Sequence, residues 1–134
     1  MKIYTSYFGN SRKLNAAGIK IICVAVGRPR FINAPQMLNV APTRYMVSGP
    51  CSHEEYLRLY DQILAKQDAH TVIKQIEFLS EGKDVALCCY EKPGQFCHRH
   101  LLAKWLTDNT GIEIKEFGQE KEEVKPKYVE ATLF

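Results

Sequence analysis

The sequence predicts a single α/β domain, Rossmann-like in type, with a mainly parallel sheet of about four strands covered by helices. Three observations lead there. Strand-like segments alternate with helical ones, the pattern of βαβ units. Two strand-like runs, "IKIICVAV" at residues 19–26 and "DVALCCYE" at residues 84–91, are apolar nearly throughout, as strands covered on both faces are. The chain has 134 residues, a length that suits one domain able to bury a core without disulfides or metal.

The elements follow in order. Residues 2–8, rich in Ile, Tyr, Thr and Phe, read as the first strand, and Gly9-Asn10-Ser11 breaks it. Residues 19–26 form the second strand, ended by Gly27-Arg28-Pro29. Residues 30–50 carry Pro35, Pro42, Gly49 and Pro50 and show no period. They are expected to be a long irregular segment, which in a compact domain is usually functional or contains short elements. Ser52 and Glu55 have capping-box spacing and open a helix to about residue 66, with Tyr56, Tyr60, Ile63 and Leu64 as its apolar stripe. Asp68 is placed to cap a helix over 70–81, with Val72, Ile73, Ile76 and Leu79 facing inward and Gly82 ending it. Residues 84–91 are the third strand, and Lys92-Pro93-Gly94 turns the chain. A helix over 97–109 carries Leu101, Leu102, Trp105 and Leu106 on one face and stops at Gly111. Residues 112–117 alternate as a short fourth strand. The domain is expected to span 1–118, with 119–134 a charged tail whose Tyr128, Val129, Leu133 and Phe134 are candidates for docking.

Composition narrows the class. Hydrophobic residues make up 46% and charged residues 25%, both ordinary for a globular protein. The five cysteines are an odd number, and Cys23, Cys88 and Cys89 sit inside apolar runs. Free thiols in a core point to a reducing, cytoplasmic setting. The longest apolar stretch, residues 19–26, is interrupted by Lys20 and far too short to span a bilayer, and the first residues lack the apolar run of a signal peptide. No membrane role is expected. The net charge of +3 is mild, but residues 1–50 hold Lys2, Arg12, Lys13, Lys20, Arg28, Arg30 and Arg44 with no acid before Glu54. Such asymmetry gives either a face that meets an anion or a plain solvated basic surface.

The chemistry concentrates in residues 88–100, "CCYEKPGQFCHRH". Glu91 falls at the carboxyl end of the third strand, and Cys97 or Phe96 opens the next helix. In a parallel sheet, ligands bind beyond the carboxyl ends of the strands. A helix starting there offers unpaired N–H groups and a positive dipole end to an anion. Arg99 in the first turn is a candidate phosphate or carboxylate clamp. Tyr7, Asn10, Ser11 and Arg12 follow the first strand, and Arg28 and Arg30 follow the second, so a parallel sheet delivers all of them to one rim. Glu91, Cys97 and His98 are the candidate catalytic residues. Asn10, Arg12, Arg28, Arg30 and Arg99 are the candidate ligand-binding residues.

Each has a plainer alternative. Cys97 is either a thiol nucleophile of lowered pKa or a small residue packed beneath the turn. His98 is a general base or a hydrogen-bonding group that fixes the loop. Glu91 is a general base or the buried partner of Arg99 or His98. Cys88, Cys89, Glu91, Cys97, His98 and His100 are metal-ligand types, but they lack the paired spacing of a structural zinc site, and neighbouring strand residues point to opposite faces. No metal and no cofactor is therefore expected. The rival arrangement has Cys89, Cys97 and His98 as ligands.

The run "DVALCCYEKPGQFCHRHLLAKWL", with "IYTSYF" before it and "EIKEF" after it, resembles the domain of unknown function 488 family. That family's signature is an apolar strand ending in Cys-Tyr/Ala-Glu, a short loop, and Cys-His-Arg opening a helix. Here those positions are Cys89, Tyr90, Glu91, Cys97, His98 and Arg99. The resemblance covers residues 1–118, loosely at 27–50. It implies a compact α/β fold and a joint role for Glu91, Cys97, His98 and Arg99, but no settled reaction. The expected function is an enzyme-like domain binding a phosphate-bearing ligand, a nucleotide or nucleic acid, at the carboxyl edge of the sheet. The alternatives are a non-catalytic module gripping a protein partner, and a metal-dependent protein using the Cys/His cluster.

Overall fold

A computed structural model of the chain describes residues 1–92 and 96–119. The turn at Pro93-Gly94 and the tail from residue 120, with its aromatic and apolar positions, lie outside the described residues.

The fold is α/β. Strands β1 (Ile3–Tyr7), β2 (Lys20–Cys23), β3 (Val85–Cys89) and β4 (Ile114–Glu116) form one sheet in the order β2-β3-β1-β4. Every pairing is parallel: Ile3 stands beside Val85 and Ile114, and Lys20 beside Val85. All four carboxyl ends therefore point the same way, as the convergence of Tyr7, Cys23, Cys89 and Glu116 requires. β3 is central, and all five of its residues are buried, which explains its unbroken apolar run.

Helices cover both faces unequally. On one face lie α3 (His53–Ala65), α4 (Ala69–Ser80) and α5 (His98–Thr110). Tyr60, Leu64, Val72, Ile76, Leu102 and Leu106 from these helices pack on Ile3, Ile22, Val85 and Leu87. On the other face Leu14 of the short helix α1 (Ser11–Ala16) packs with Phe8, Ile19, Ile21 and Ala86. The sequence carries no helical pattern at α1. Its six residues bury only Leu14, too little apolar content to show a helical period.

The caps agree with the side chains chosen for them. Ser52 Oγ accepts from Glu55 N–H, and Asp68 Oδ2 accepts from Thr71 N–H. The Glu55 carboxylate accepts instead from the Tyr45 hydroxyl, 2.8 Å away. Gly111 ends α5 at φ 76°, a left-handed conformation that glycine adopts without the Cβ penalty. α4 stops one residue earlier than expected: Glu81, at φ 53°, takes the left-handed position ahead of Gly82.

Residues 30–50 are a packed segment containing short elements. Cys23 N–H donates to Pro35 O and Met37 N–H donates to Cys23 O, so this segment lines the outer edge of β2. That contact blunts a sheet edge that would otherwise expose unpaired backbone groups. A 3-10 turn at Leu38–Val40 and helix α2 (Arg44–Ser48) follow. The buried Tyr60 hydroxyl donates to Val40 O at 2.7 Å and ties the segment to α3.

Candidate functional site

The loop from β3 to α5 carries the candidate site. α5 begins where it does because Cys97 is extended (φ −152°, ψ 140°) and the chain becomes helical at His98. Three consecutive residues then do different things.

Arg99 is fully buried, and each of its three guanidinium nitrogens donates at least one hydrogen bond. Nε donates to Glu116 Oε1 at 3.1 Å and Nη2 to Glu116 Oε2 at 2.9 Å, a bidentate pair with a carboxylate that is itself 6% exposed. Nη1 donates to the Glu91 backbone carbonyl at 2.6 Å and to Cys89 Sγ at 2.9 Å. Thr5 Oγ1 donates to Glu116 Oε1 at 2.6 Å. Arg99 therefore stitches α5, β4 and the end of β3 together. The expected clamp on an incoming anion is not available, because the planar fork is already spent on Glu116. The carboxylate partner is Glu116, not Glu91.

His98 is buried, with Nε2 2.6 Å from Val24 O. Burial pushes its pKa down to about 4, with the neighbouring Arg99 and His100 charges acting the same way against the Val24 bond. The ring is neutral at pH 7, so Nε2–H donates to Val24 O and Nδ1 keeps its lone pair. A base this weak at neutral pH serves better as a positioning group than as the general base expected.

Cys97 meets Cys89, the last residue of β3. The two are joined by a disulfide, and His98 Nδ1 stands 3.8 Å from Cys97 Sγ. Cys23, Cys51 and Cys88 are free. Burial raises the Cys88 and Cys23 thiols above their ordinary pKa, the Cys23 shift being opposed by the Ala25 carbonyl contact. As a disulfide, Cys97 carries no thiol, so any nucleophilic role belongs to the reduced pair.

A cleft of about 340 Å³ opens beside these residues. Cys97, Phe96 and Glu91 line one wall; Met46, Cys51, Ser52, His53 and Tyr56 line the other. It thus lies between the amino-terminal ends of two 13-residue helices, α3 and α5. The Phe96 ring packs edge-on against His53 at 4.6 Å and Tyr56 at 5.0 Å. Glu91 is exposed at this cleft.

The other sequence candidates do not gather here. Asn10 Nδ2 donates to Ser6 Oγ at 3.2 Å, and Arg28 Nη1 donates to Ala34 O at 2.5 Å, holding the turn after β2. Arg12 and Arg30 are exposed on α1 and on the loop after β2. None of the four lines the cleft. Conversely, the sequence assigns no site role to Glu116 or His53 and places Tyr56 only in the apolar stripe of its helix, whereas His53 and Tyr56 line the cleft and Glu116 holds Arg99. Glu116 had one visible signal: an acid in a strand, one residue before Phe117, that needs a partner once the strand is buried.

These features define a class, an all-parallel α/β domain with a cysteine–histidine–arginine cluster at the carboxyl edge of its sheet. Residues 10–110 match the family model described as the active DUF488-N3 subclade, and the chain belongs to the domain of unknown function 488 family. No curated protein and no solved structure matches it.

Proposed function

We propose that the chain is an enzyme-like domain that binds a phosphate-bearing ligand, a nucleotide or nucleic-acid end, in the cleft beside Cys97. The observation that carries this reading is the cleft's position. It lies at the carboxyl edge of a parallel sheet, between the starts of α3 and α5, with Cys97 and Glu91 on its wall. Two helix starts make the cleft a favourable place for negative charge. Its volume is within the range of small-ligand sites, about 300–1,000 Å³. In this reading the reduced Cys97 and the Glu91 carboxylate are the reactive groups, and His98 and Arg99 hold the backbone that presents them. The family's description as an active subclade supports an enzyme over a bare binding module.

The compartment belongs to the same reading. Three cysteines are free, two of them in the core, which suits a reducing cytoplasm. A disulfide in such a setting is usually transient and part of the chemistry. Among the described residues no helix is long and apolar enough to cross a membrane.

The test is protection. Phosphine-reduced protein is alkylated at Cys97 with and without ATP, a dinucleotide, single-stranded DNA or RNA at low salt. At least one of these ligands is expected to slow alkylation several-fold, while alkylation of Cys23 and Cys88 stays unchanged. If none binds and none protects, the reading is wrong.

A further inference from the structure

We propose that the dithiol form of this site is a metal centre, in which Cys89 Sγ, Cys97 Sγ and His98 Nδ1 hold one thiophilic divalent cation of the zinc class. The inference is independent of which ligand the cleft takes.

Four observations carry it. First, the three ligand atoms all lie within 4.8 Å of one another, and all three residues are buried. They come from the end of β3 and the start of α5, two elements that face each other. No knuckle spacing is needed when the fold supplies the proximity, which is why the spacing of the sequence argued against metal.

Second, of the two pairs that the disulfide does not join, the one between Cys97 and His98 has the separation a metal requires. Tetrahedral zinc, with bonds of about 2.3 Å to sulfur and about 2.05 Å to nitrogen, sets its sulfur and nitrogen ligands about 3.6 Å apart. Cys97 Sγ and His98 Nδ1 are 3.8 Å apart.

Third, the ring is already oriented as a ligand. Its Nε2–H is committed to Val24 O at 2.6 Å, which leaves the Nδ1 lone pair toward the sulfurs. A ligating histidine nearly always donates its other N–H to a carbonyl or carboxylate in this way. Arg99 Nη1, 2.9 Å from Cys89 Sγ, supplies the corresponding outer hydrogen bond to a thiolate.

Fourth, the charges cancel. Arg99 is balanced by Glu116, so the site has no net charge before the ligands ionise. Two buried thiolates would be costly alone, and a divalent cation with two thiolates and a neutral imidazole is neutral. Three protein ligands leave a fourth position for water or a cleft-bound ligand, the arrangement of catalytic rather than structural zinc.

The chemistry balances as follows. A phosphine and water reduce the Cys89–Cys97 disulfide to two thiols, giving the phosphine oxide. Binding of the cation then releases two protons, one from each thiol, and the cation forms its bonds to the two sulfurs and to Nδ1.

Full-length protein is reduced with a phosphine under anaerobic conditions and titrated with Co²⁺, then with Zn²⁺. The expected result is one cobalt per chain with thiolate-to-cobalt absorption in the near ultraviolet, displaced by zinc. Cys89→Ser and Cys97→Ser should each abolish that absorption, His98→Asn should weaken binding at least tenfold, and Cys51→Ser, which lies outside the ligand set, should leave cobalt uptake and its absorption as in wild type. Because a core variant can fail to fold, wild-type thiols are also counted with a thiol reagent. Bound zinc should protect two, mapped by mass spectrometry to Cys89 and Cys97. Reduced, folded protein that takes up no metal overturns the proposal. So does binding that survives both serine variants, or protection that maps to other cysteines. Metal uptake without nucleotide protection would leave this site standing and remove the phosphate reading; the converse would do the reverse.

Discussion

Arg99 shows how a residue type can be read correctly as important and wrongly as to role. A guanidinium in the first turn of a helix, at the carboxyl edge of a sheet, fits an anion clamp equally well when only the sequence is known. What decides between the two roles is Glu116, 17 residues further on in the sequence and beneath the same helix, with its carboxylate bidentate on Nε and Nη2. The same holds for Cys97: its neighbour in space is Cys89, eight residues earlier, and strand alternation alone gives the face of Cys89 but not its partner. Residue identity was legible; pairing across elements was not, because it depends on the register of β4 against β1 and on where α5 starts. The pairing makes a direct prediction. Removing one member of a buried ion pair leaves the other charge uncompensated, at about 3–5 kcal/mol. Arg99→Ala should therefore lower the unfolding free energy by about that amount in a urea titration, and Arg99→Lys should not restore it, because an ammonium cannot match the bidentate geometry. An unfolding midpoint that stays in place would show that Glu116 is tolerated unpaired and that the stitching described here does not hold the edge together.

At the scale of elements, β3, α3, α4 and α5 were legible because each has either a continuous apolar run or a long apolar stripe, and because Ser52, Asp68 and Gly111 mark ends by local hydrogen bonding or backbone conformation. Helix α1 and the order inside residues 30–50 were not. Those short pieces owe their shape to contacts with the edge of β2 and with Tyr60, and such contacts leave no period in the sequence. The link between α5 and β2 is also tertiary, through His98 and Val24 O, and it has a pH signature. In the metal-free, disulfide-bonded protein His98 is held near pKa 4, mainly by burial, against an ordinary value of 6.5. Between those two values the unfolded chain takes up a proton that the folded chain refuses, so stability rises with pH across this window. The His98 contribution is fully present above pH 6.5 and lost as pH falls toward 4, about 3 kcal/mol in all at about 1.36 per pKa unit. His100, whose pKa burial also lowers, adds to the slope in the same direction. Urea unfolding at steps from pH 7 to pH 4 measures it, and His98→Gln, which has no titrating ring, should flatten most of the dependence. A wild-type protein equally stable at pH 7 and pH 4.5 would mean that the ring is solvated or already protonated in the fold.

For the molecule as a whole, the parallel direction of the strands was legible from the alternation of elements, though their order β2-β3-β1-β4 was not, and that direction brings Tyr7, Cys23, Cys89 and Glu116 to one edge. The basic half of the chain did not converge with them as the strand ends alone implied. Arg12 lies on α1, Arg28 is tied to Ala34 O, and Arg30 is exposed on the loop after β2, while the cleft is lined by Met46, Cys51, His53 and Tyr56 on the α3 side and by Glu91, Phe96 and Cys97 on the α5 side. If the ligand is a small nucleotide, these arginines lie outside its site. If it is a nucleic-acid strand, a chain of phosphates can run from the cleft across the basic surface and meet them. The two cases separate by salt. Each phosphate neutralised on a single strand contributes about 0.7 to the slope of log affinity against log salt. Titration of single-stranded DNA and RNA from low to moderate salt should give a steep slope for wild type. The Arg28→Ala/Arg30→Ala variant should reduce that slope by about 0.7, the share of one phosphate contact. The loss should come from Arg30, because Arg28 already has a carbonyl partner and its removal chiefly loosens the turn. The single variant Arg30→Ala should then reproduce the whole electrostatic effect, and Arg28→Ala should appear as a lower melting temperature with an unchanged slope. A double variant whose slope matches wild type would take the basic half of the chain out of ligand recognition and leave the cleft between α3 and α5 to act alone on a small anion.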